Sequence, residues 1–208
     1  MAPPEVSIAV VLNPASGSGS HTDVAGRVTE LFAARGMAAR ITFAGEDVQV
    51  PEVVRRAAES GVAAVVAGGG DGTVNAVATA LARGQVPLGV LPLGTLNHFA
   101  KDMGLPLELE EAVGIIAKGN VRVVDVGEVN GRIFLNNSSI GVYPGIVELR
   151  DHYREKGVGK LIAAVWASLV VLRRRRFLGV RIESPEGVLV RRTPLVFVGN
   201  NEYHMSGL

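Results

Sequence analysis

From Val6 to about Leu105 the apolar positions switch repeatedly between a continuous run and a helical stripe. Val6-Ser7-Ile8-Ala9-Val10-Val11-Leu12 is almost wholly apolar and rich in β-branched residues, the pattern of a buried parallel strand. It is closed by Asn13-Pro14-Ala15-Ser16-Gly17-Ser18-Gly19. Val24, Val28, Leu31 and Phe32 then share one helical face, which predicts a helix from about Thr22 to Ala34 with Gly36 past its end. Ala38 to Phe43 reads as a second strand. A second helix runs from about Val50 to Glu59, with Pro51 in its first turn. A third strand, Val62-Ala63-Ala64-Val65-Val66-Ala67, leads into Gly68-Gly69-Gly70-Asp71-Gly72-Thr73. Helical spacing resumes at Val74, Val77, Ala78 and Leu81. Pro87 to Leu91 is a fourth strand, followed by Pro92-Leu93-Gly94-Thr95 and a short helix to Met103.

This alternation predicts an α/β domain over residues 1–120 with a parallel, helix-covered sheet. In such sheets ligands sit outside the carboxyl ends of the strands. The three polar or glycine-rich turns, at Asn13, Gly68 and Gly94, all fall at such ends, which makes this the nucleotide-binding half. After about Asn120 the rhythm changes. Val121 to Val129, a tight Asn130-Gly131 turn and Arg132 to Asn136 read as a hairpin. A helix-prone segment spans roughly Ile146 to Arg175. Phe177 to Glu183 and Val188 to Arg192 read as paired strands around Pro185-Glu186-Gly187, and Pro194 to Gly199 as a further one. Residues 121–208 are therefore expected to form a partial, β-rich second domain whose closing strands are missing.

Composition removes several classes. The 208 residues carry a net charge of +1, which gives no global field for nucleic acid. Cysteine is absent, so disulfides, thiol catalysis and thiolate metal sites are excluded. No basic n-region precedes the first apolar run, and no stretch reaches about 18 apolar residues. The default reading is a cytoplasmic protein.

The glycine-rich turn is the leading chemical candidate. Backbone N–H groups between a strand and a helix can receive phosphate oxygens. Gly69, Gly70 and Gly72 would allow close approach, and Thr73 would cap the helix or bond an oxygen. The plainer alternative is a tight turn that requires positive φ. Asp71 repels phosphate unless a cation intervenes, which points to a nucleotide with a divalent metal. The stretch lacks the Gly-Lys-Ser/Thr of a P-loop and the glycine spacing of a dinucleotide fingerprint. Asn13 to Gly19 is either a solvated turn or a nucleotide contact. Thr95 is expected to cap the helix that follows, with His98 on the surface or at the site. Asp125 sits in an apolar run read as a strand, where an unpartnered buried carboxylate would be costly.

Gly69-Gly70-Asp71-Gly72-Thr73-Val74-Asn75 resembles the GGDGT signature of the diacylglycerol kinase catalytic domain family, which includes sphingosine kinases and bacterial lipid kinases and shares a fold with NAD kinases and phosphofructokinases. Asn13-Pro14-Ala15-Ser16-Gly17 resembles the family's first nucleotide loop. Pro92-Leu93-Gly94-Thr95-Leu96-Asn97-His98-Phe99-Ala100 resembles its PxGTxNDFA block, and Asp125 its VDxG acid. The resemblance implies ATP- and Mg²⁺-dependent phosphorylation of a lipid alcohol such as diacylglycerol. It implies nucleotide contacts from Asn13, Ser16, Gly69, Gly70, Gly72, Thr73, Gly94, Thr95 and Asn97. Asp71 and Asp125 would be the catalytic acids, acting through magnesium and its waters.

Three departures accompany it. His98 stands where the family has aspartate, Ala76 where it has glutamate, and members of the family finish the second domain with further strands, one bearing an acid near the lipid. An NAD-kinase-like phosphorylation of a soluble substrate and a nucleotide-binding fragment without turnover are the competing readings. Leu161 to Leu172 followed by Arg173 to Arg176 reads as a buried helix with solvated arginines, or as an interfacial helix giving transient contact with an anionic membrane surface. A homodimer is left open.

Overall fold

The computed structural model describes residues 6–14, 16, 21–45, 49–141 and 177–201. The helix-prone segment and the arginine run from 146 to 176 lie outside the described residues, as do Ala15 and Gly17 of the first loop. The chain divides into two compact units, Met1–Asn136 and Asn137–Leu208.

The first unit is built on four strands, β1 (Val6–Leu12), β2 (Met37–Phe43), β3 (Ala64–Gly69) and β4 (Leu88–Pro92). They pair in the order β2-β1-β3-β4, and every pairing is parallel. The reason lies in the apolar runs. Because a parallel sheet needs crossover helices on its faces, its strands must be apolar on both sides. Alternate residues supply the two faces. Ala9, Val11, Val65 and Ala67 belong to one core, with Val54 of helix α2 (Val50–Glu59) and Val74 and Val77 of helix α3 (Asp71–Leu81). Ile8, Val10, Leu12 and Val66 belong to the other, with Val28 and Phe32 of helix α1 (His21–Ala33).

The second core also takes Ala112 and Val113 from helix α5 (Leu109–Lys118), whose apolar residues Leu109, Ala112, Val113, Ile116 and Ala117 recur at helical spacing, although no element was expected there. Its Glu108 N-cap makes no side-chain capping bond, and Gly114 interrupts its middle. The local signals present are Glu110 and Glu111 in the first turn, Lys118 in the last, and Gly119 at φ 67° as C-cap. Between β4 and α5 lies the five-residue helix α4 (His98–Asp102).

The expected hairpin forms, but it is shorter than the apolar pattern suggests. Strands β5 (Gly127–Val129) and β6 (Arg132–Phe134) pair antiparallel across Asn130 and Gly131, whose φ values of 50° and 78° suit a tight two-residue turn. Residues 120–126 carry no strand, and Val123 is 99% exposed. Alternating apolar character there reflects no buried face.

In the second unit, β7 (Asn137–Gly141) pairs antiparallel with β10 (Leu195–Gly199), and β8 (Leu178–Ser184) with β9 (Gly187–Thr193). The β8–β9 hairpin and the strand after it follow the sequence pattern. β7 does not, because Asn137-Ser138-Ser139 offers no apolar alternation. Among the described residues, no helix is long and apolar enough to cross a membrane.

Candidate nucleotide site

The carboxyl ends of β1, β3 and β4 converge on one cavity of about 840 Å³, within the size range of small-molecule sites. Its lining includes Asn13 and Ser16 after β1, Gly70, Gly72 and Thr73 after β3, and Leu93, Gly94 and Thr95 after β4. The loops are pinned by backbone bonds: Asn13 N–H donates to Gly68 C=O at 2.9 Å, and Leu93 N–H to Gly69 C=O at 3.2 Å.

At α3 the chain turns from strand to helix within one residue. Gly70 is the N-cap, at φ −84° and ψ −175°, and it offers no side-chain cap. The first intrahelical bond runs from Val74 N–H to Gly70 C=O. The amides of Asp71, Gly72 and Thr73 therefore have no intrahelical acceptor, and the positive end of the helix dipole adds to them. Thr73 is not the cap. Its hydroxyl accepts from Asn13 Nδ2 at 3.2 Å, leaving the hydroxyl hydrogen available to another acceptor.

None of the glycines from Gly68 to Gly72 has positive φ, so turn geometry does not explain them. Close packing explains two of them, since a Cβ on Gly68 would stand 2.2 Å from Leu12 Cδ2 and one on Gly69 2.5 Å from Thr73 Oγ1. It also explains Gly94, where a Cβ would stand 2.3 Å from Gly70 Cα. The β3 and β4 loops thus touch backbone to backbone. Gly72 differs, because a Cβ there meets nothing within 4 Å and the residue lines the cavity. No protein neighbour demands its missing side chain.

Asp71 is not itself part of the cavity lining. Its carboxylate accepts from the backbone N–H groups of His98 at 3.1 Å and Phe99 at 3.0 Å, and from Asn136 Nδ2 at 3.4 Å. It thereby caps α4 from a helix 27 residues earlier in the chain. Thr95, expected to do so, is exposed in the preceding bend, and the N-cap position is Asn97 in left-handed conformation, φ 49°. The Asn97 side chain turns inward instead. Its Oδ1 accepts from Gly94 N–H at 3.0 Å, while Nδ2 donates to Pro92 C=O at 3.1 Å and Gly94 C=O at 2.7 Å. Asn97 is 8% exposed and absent from the lining, so it shapes the β4 loop.

Asp125 is exposed and lies in no strand, so the expectation of a buried strand carboxylate is not met. Among the described residues no three histidines or acids gather as a metal cage, and Asp125 does not line the cavity.

Three residues without an assigned role in the sequence reading stand out. Asn75 donates to Ile133 C=O at 3.0 Å and accepts from Leu135 N–H at 3.2 Å, fastening α3 to the end of the β5–β6 hairpin as a peptide group would. Asn136 holds Asp71, and its Oδ1 is buried with no hydrogen-bond partner among the described residues. Arg27 of α1 lines the cavity wall. The paired asparagine bonds are long-range, and only Asn75, inside the glycine signature, carried a local hint.

The model of the diacylglycerol kinase catalytic domain matches residues 7–129. A Pseudomonas aeruginosa protein named "Probable lipid kinase YegS-like" is 46% identical over 111 residues, which are 52% of this chain and 36% of that protein. A Yersinia pestis protein of the same name is 42% identical over 106 residues, 49% of this chain and 35% of its own. This chain thus matches about a third of the length of these relatives. Among solved structures, that of a diacylglycerol kinase from Bacillus anthracis superposes with a TM-score of 0.70 at 26% identity, over 96% of this chain and 67% of the other.

Proposed function

Because the chain belongs to the diacylglycerol kinase catalytic domain family, we propose that it binds ATP with Mg²⁺ and serves phosphoryl transfer to a lipid hydroxyl. The cavity at three strand ends, floored by the amino end of α3, carries this reading. A triphosphate is a polyanion, and the amides of Asp71, Gly72 and Thr73 with the Thr73 hydroxyl form a donor set suited to its oxygens. Asn13, Ser16, Gly94 and Thr95 would close the cavity around it. Gly69, Gly70 and Asn97 would contribute through backbone shape, since each is committed to packing or to the β4 turn.

Magnesium fits on the chemistry of the donors. With no protein cage among the described residues, the ion would be held chiefly by phosphate oxygens and water, its usual habit. Two carboxylate oxygens offer about four lone-pair sites, and Asp71 uses three of them with one long bond. The unpartnered Asn136 Oδ1 beside it is an acceptor that a metal-bound water would satisfy. When bound, the ion supplies neutralisation of phosphate charge. Asp71 would orient water or the attacking hydroxyl, and Asp125 is proposed as the second acid.

Calorimetric titration of the 208-residue chain with ATP–Mg²⁺, followed by ATP turnover with diacylglycerol, sphingoid base and NAD as acceptors, tests the reading. Saturable binding with turnover that depends on a lipid alcohol is expected. Turnover with NAD alone selects the soluble-substrate reading. Binding without turnover leaves a nucleotide-binding chain only, and no binding overturns the proposal.

A further inference from the structure

The three loops that meet at the cavity carry no cation. Residues 13–20, 68–75 and 92–97 contain neither lysine nor arginine. A nucleoside triphosphate nonetheless has to lose much of its charge repulsion before a hydroxyl can approach it, and a magnesium ion neutralises only part of that charge. Among the described residues the cavity lining contains one basic side chain, Arg27, and it comes from none of the loops. It stands in the second turn of α1, exposed.

The guanidinium of Arg27 has no hydrogen bond or ion pair to any described residue. Arg35, just past the end of the same helix, instead donates to Leu31 C=O at 2.9 Å and Glu110 C=O at 3.4 Å. Asp23, one turn earlier on the same wall, is the acid at pairing distance in sequence. An exposed pair of that spacing is too weak to hold a guanidinium away from a polyanion. Arg27 also lines an adjoining cavity of about 1070 Å³ together with Leu109, where no glycine-loop residue takes part. It therefore marks the rim that the nucleotide cavity shares with its neighbour, on the α1 wall.

From this placement we infer that Arg27 is the side-chain cation for the nucleotide's polyphosphate, adding charge from the α1 wall to the α3 amides. The inference rests on the nucleotide reading above and names the residue that completes its electrostatics. A planar guanidinium can engage two phosphate oxygens at once, which an ammonium cannot. Helix α1 fixes its stem, because Val28 beside it is fully buried in the core shared with α5.

The test compares wild type, Arg27→Met and Arg27→Lys by calorimetry with ATP, ADP, AMP and adenosine, each with Mg²⁺, in low and moderate salt. Arg27→Met keeps the stem and removes the charge at an exposed position, so its melting temperature is expected to match wild type. Its ATP affinity is expected to fall about tenfold, the worth of one charge-assisted contact. The loss should shrink from ATP through ADP to AMP and vanish for adenosine. Arg27→Lys should recover part of it, and the salt dependence of ATP binding should flatten in the methionine variant. Equal losses for ATP and adenosine would place Arg27 on the base and overturn the inference, as would unchanged ATP affinity. Wild type failing to bind ATP–Mg²⁺ would remove the nucleotide reading itself, a separate outcome from wild-type binding with no effect of the substitution.

Discussion

Replacing Asp71 separates a structural duty from a chemical one. In Asp71→Ala the Phe99 N–H, partly buried, loses a charged acceptor at 3.0 Å, and the His98 N–H loses one at 3.1 Å in reach of water. Leaving a partly buried donor unmatched costs about 1–3 kcal/mol, and the water-accessible bond adds roughly 1 kcal/mol. The long bond from Asn136 adds little. The total is about 2–4 kcal/mol. With a urea slope of about 2 kcal/mol/M, the unfolding midpoint should drop by roughly 1–2 M. Asp71→Asn keeps one acceptor oxygen for Phe99 but turns an amide donor toward His98, so about half that loss is expected. Urea melts followed by circular dichroism read the structural duty, and both variants melting with wild type would refute the cap. Lipid-dependent ATP turnover, measured well below the lowered midpoint, reads the chemical duty. Asp71→Asn should abolish it while ATP–Mg²⁺ still binds, and undiminished turnover would refute the catalytic assignment.

Two of the cavity glycines should part company: Gly94→Ala forces a Cβ to 2.3 Å from Gly70 Cα and should lose about 1–3 kcal/mol in thermal or urea melts, whereas Gly72→Ala meets no protein atom, should keep wild-type stability or gain slightly, and should weaken ATP binding about tenfold by calorimetry. Asn97→Ala loses three hydrogen bonds and places alanine at φ 49°, so about 3 kcal/mol of stability should go in the same melts, and Asn97→Gly, which relieves only the backbone, should recover about 1 kcal/mol. On α2, hydrogen bonds from the Arg55 and Arg56 guanidinium groups hold the Glu52 carboxyl down at about 2 from an ordinary 4.5. Its contribution is thus complete above pH 4.5 and fades as pH falls toward 2. The small difference in urea midpoint between wild type and Glu52→Gln should close over that interval and shrink in salt.

The parallel sheet and the placing of the cavity were legible because both follow from local periodicity. A strand apolar on both faces must be buried on both faces, and its polar exit must then be at an edge where ligands collect. An element decided by its partner was not legible: β7 is a strand because β10 lies beside it. α5 differs, because Leu109, Ala112, Val113, Ile116 and Ala117 form a helical stripe that local periodicity does carry and that went unread. Asp125 misled in the opposite sense, since an apolar stretch around a carboxylate suggested burial that residues 120–126 do not have. Arg27 escaped notice because a single arginine on an exposed helix position looks like any solvated charge until the cavity wall is known.

A signature block read as a string of ligand contacts also assigns too much to the ligand. Gly94 lacks a side chain because two loops touch at Gly70. Asn13 and Thr73 bond one another before either meets a phosphate. Asp71 joins the α3 loop to α4, and Asn97 locks the turn between them. The blocks after β1, β3 and β4 are therefore one mechanical unit: moving any of them shifts the α3 amides that a phosphate would meet. Preorganised donors of this kind need no reorganisation when charge develops, which is where enzymes gain most. On that argument Gly94→Ala and Asn97→Ala should lower ATP affinity without touching the nucleotide, whereas Gly72→Ala should lower it with the loops intact. Amide hydrogen exchange at Leu93, His98 and Phe99, whose N–H groups are bonded across these loops, distinguishes the routes, speeding up in the first two variants and staying at the wild-type rate in the third.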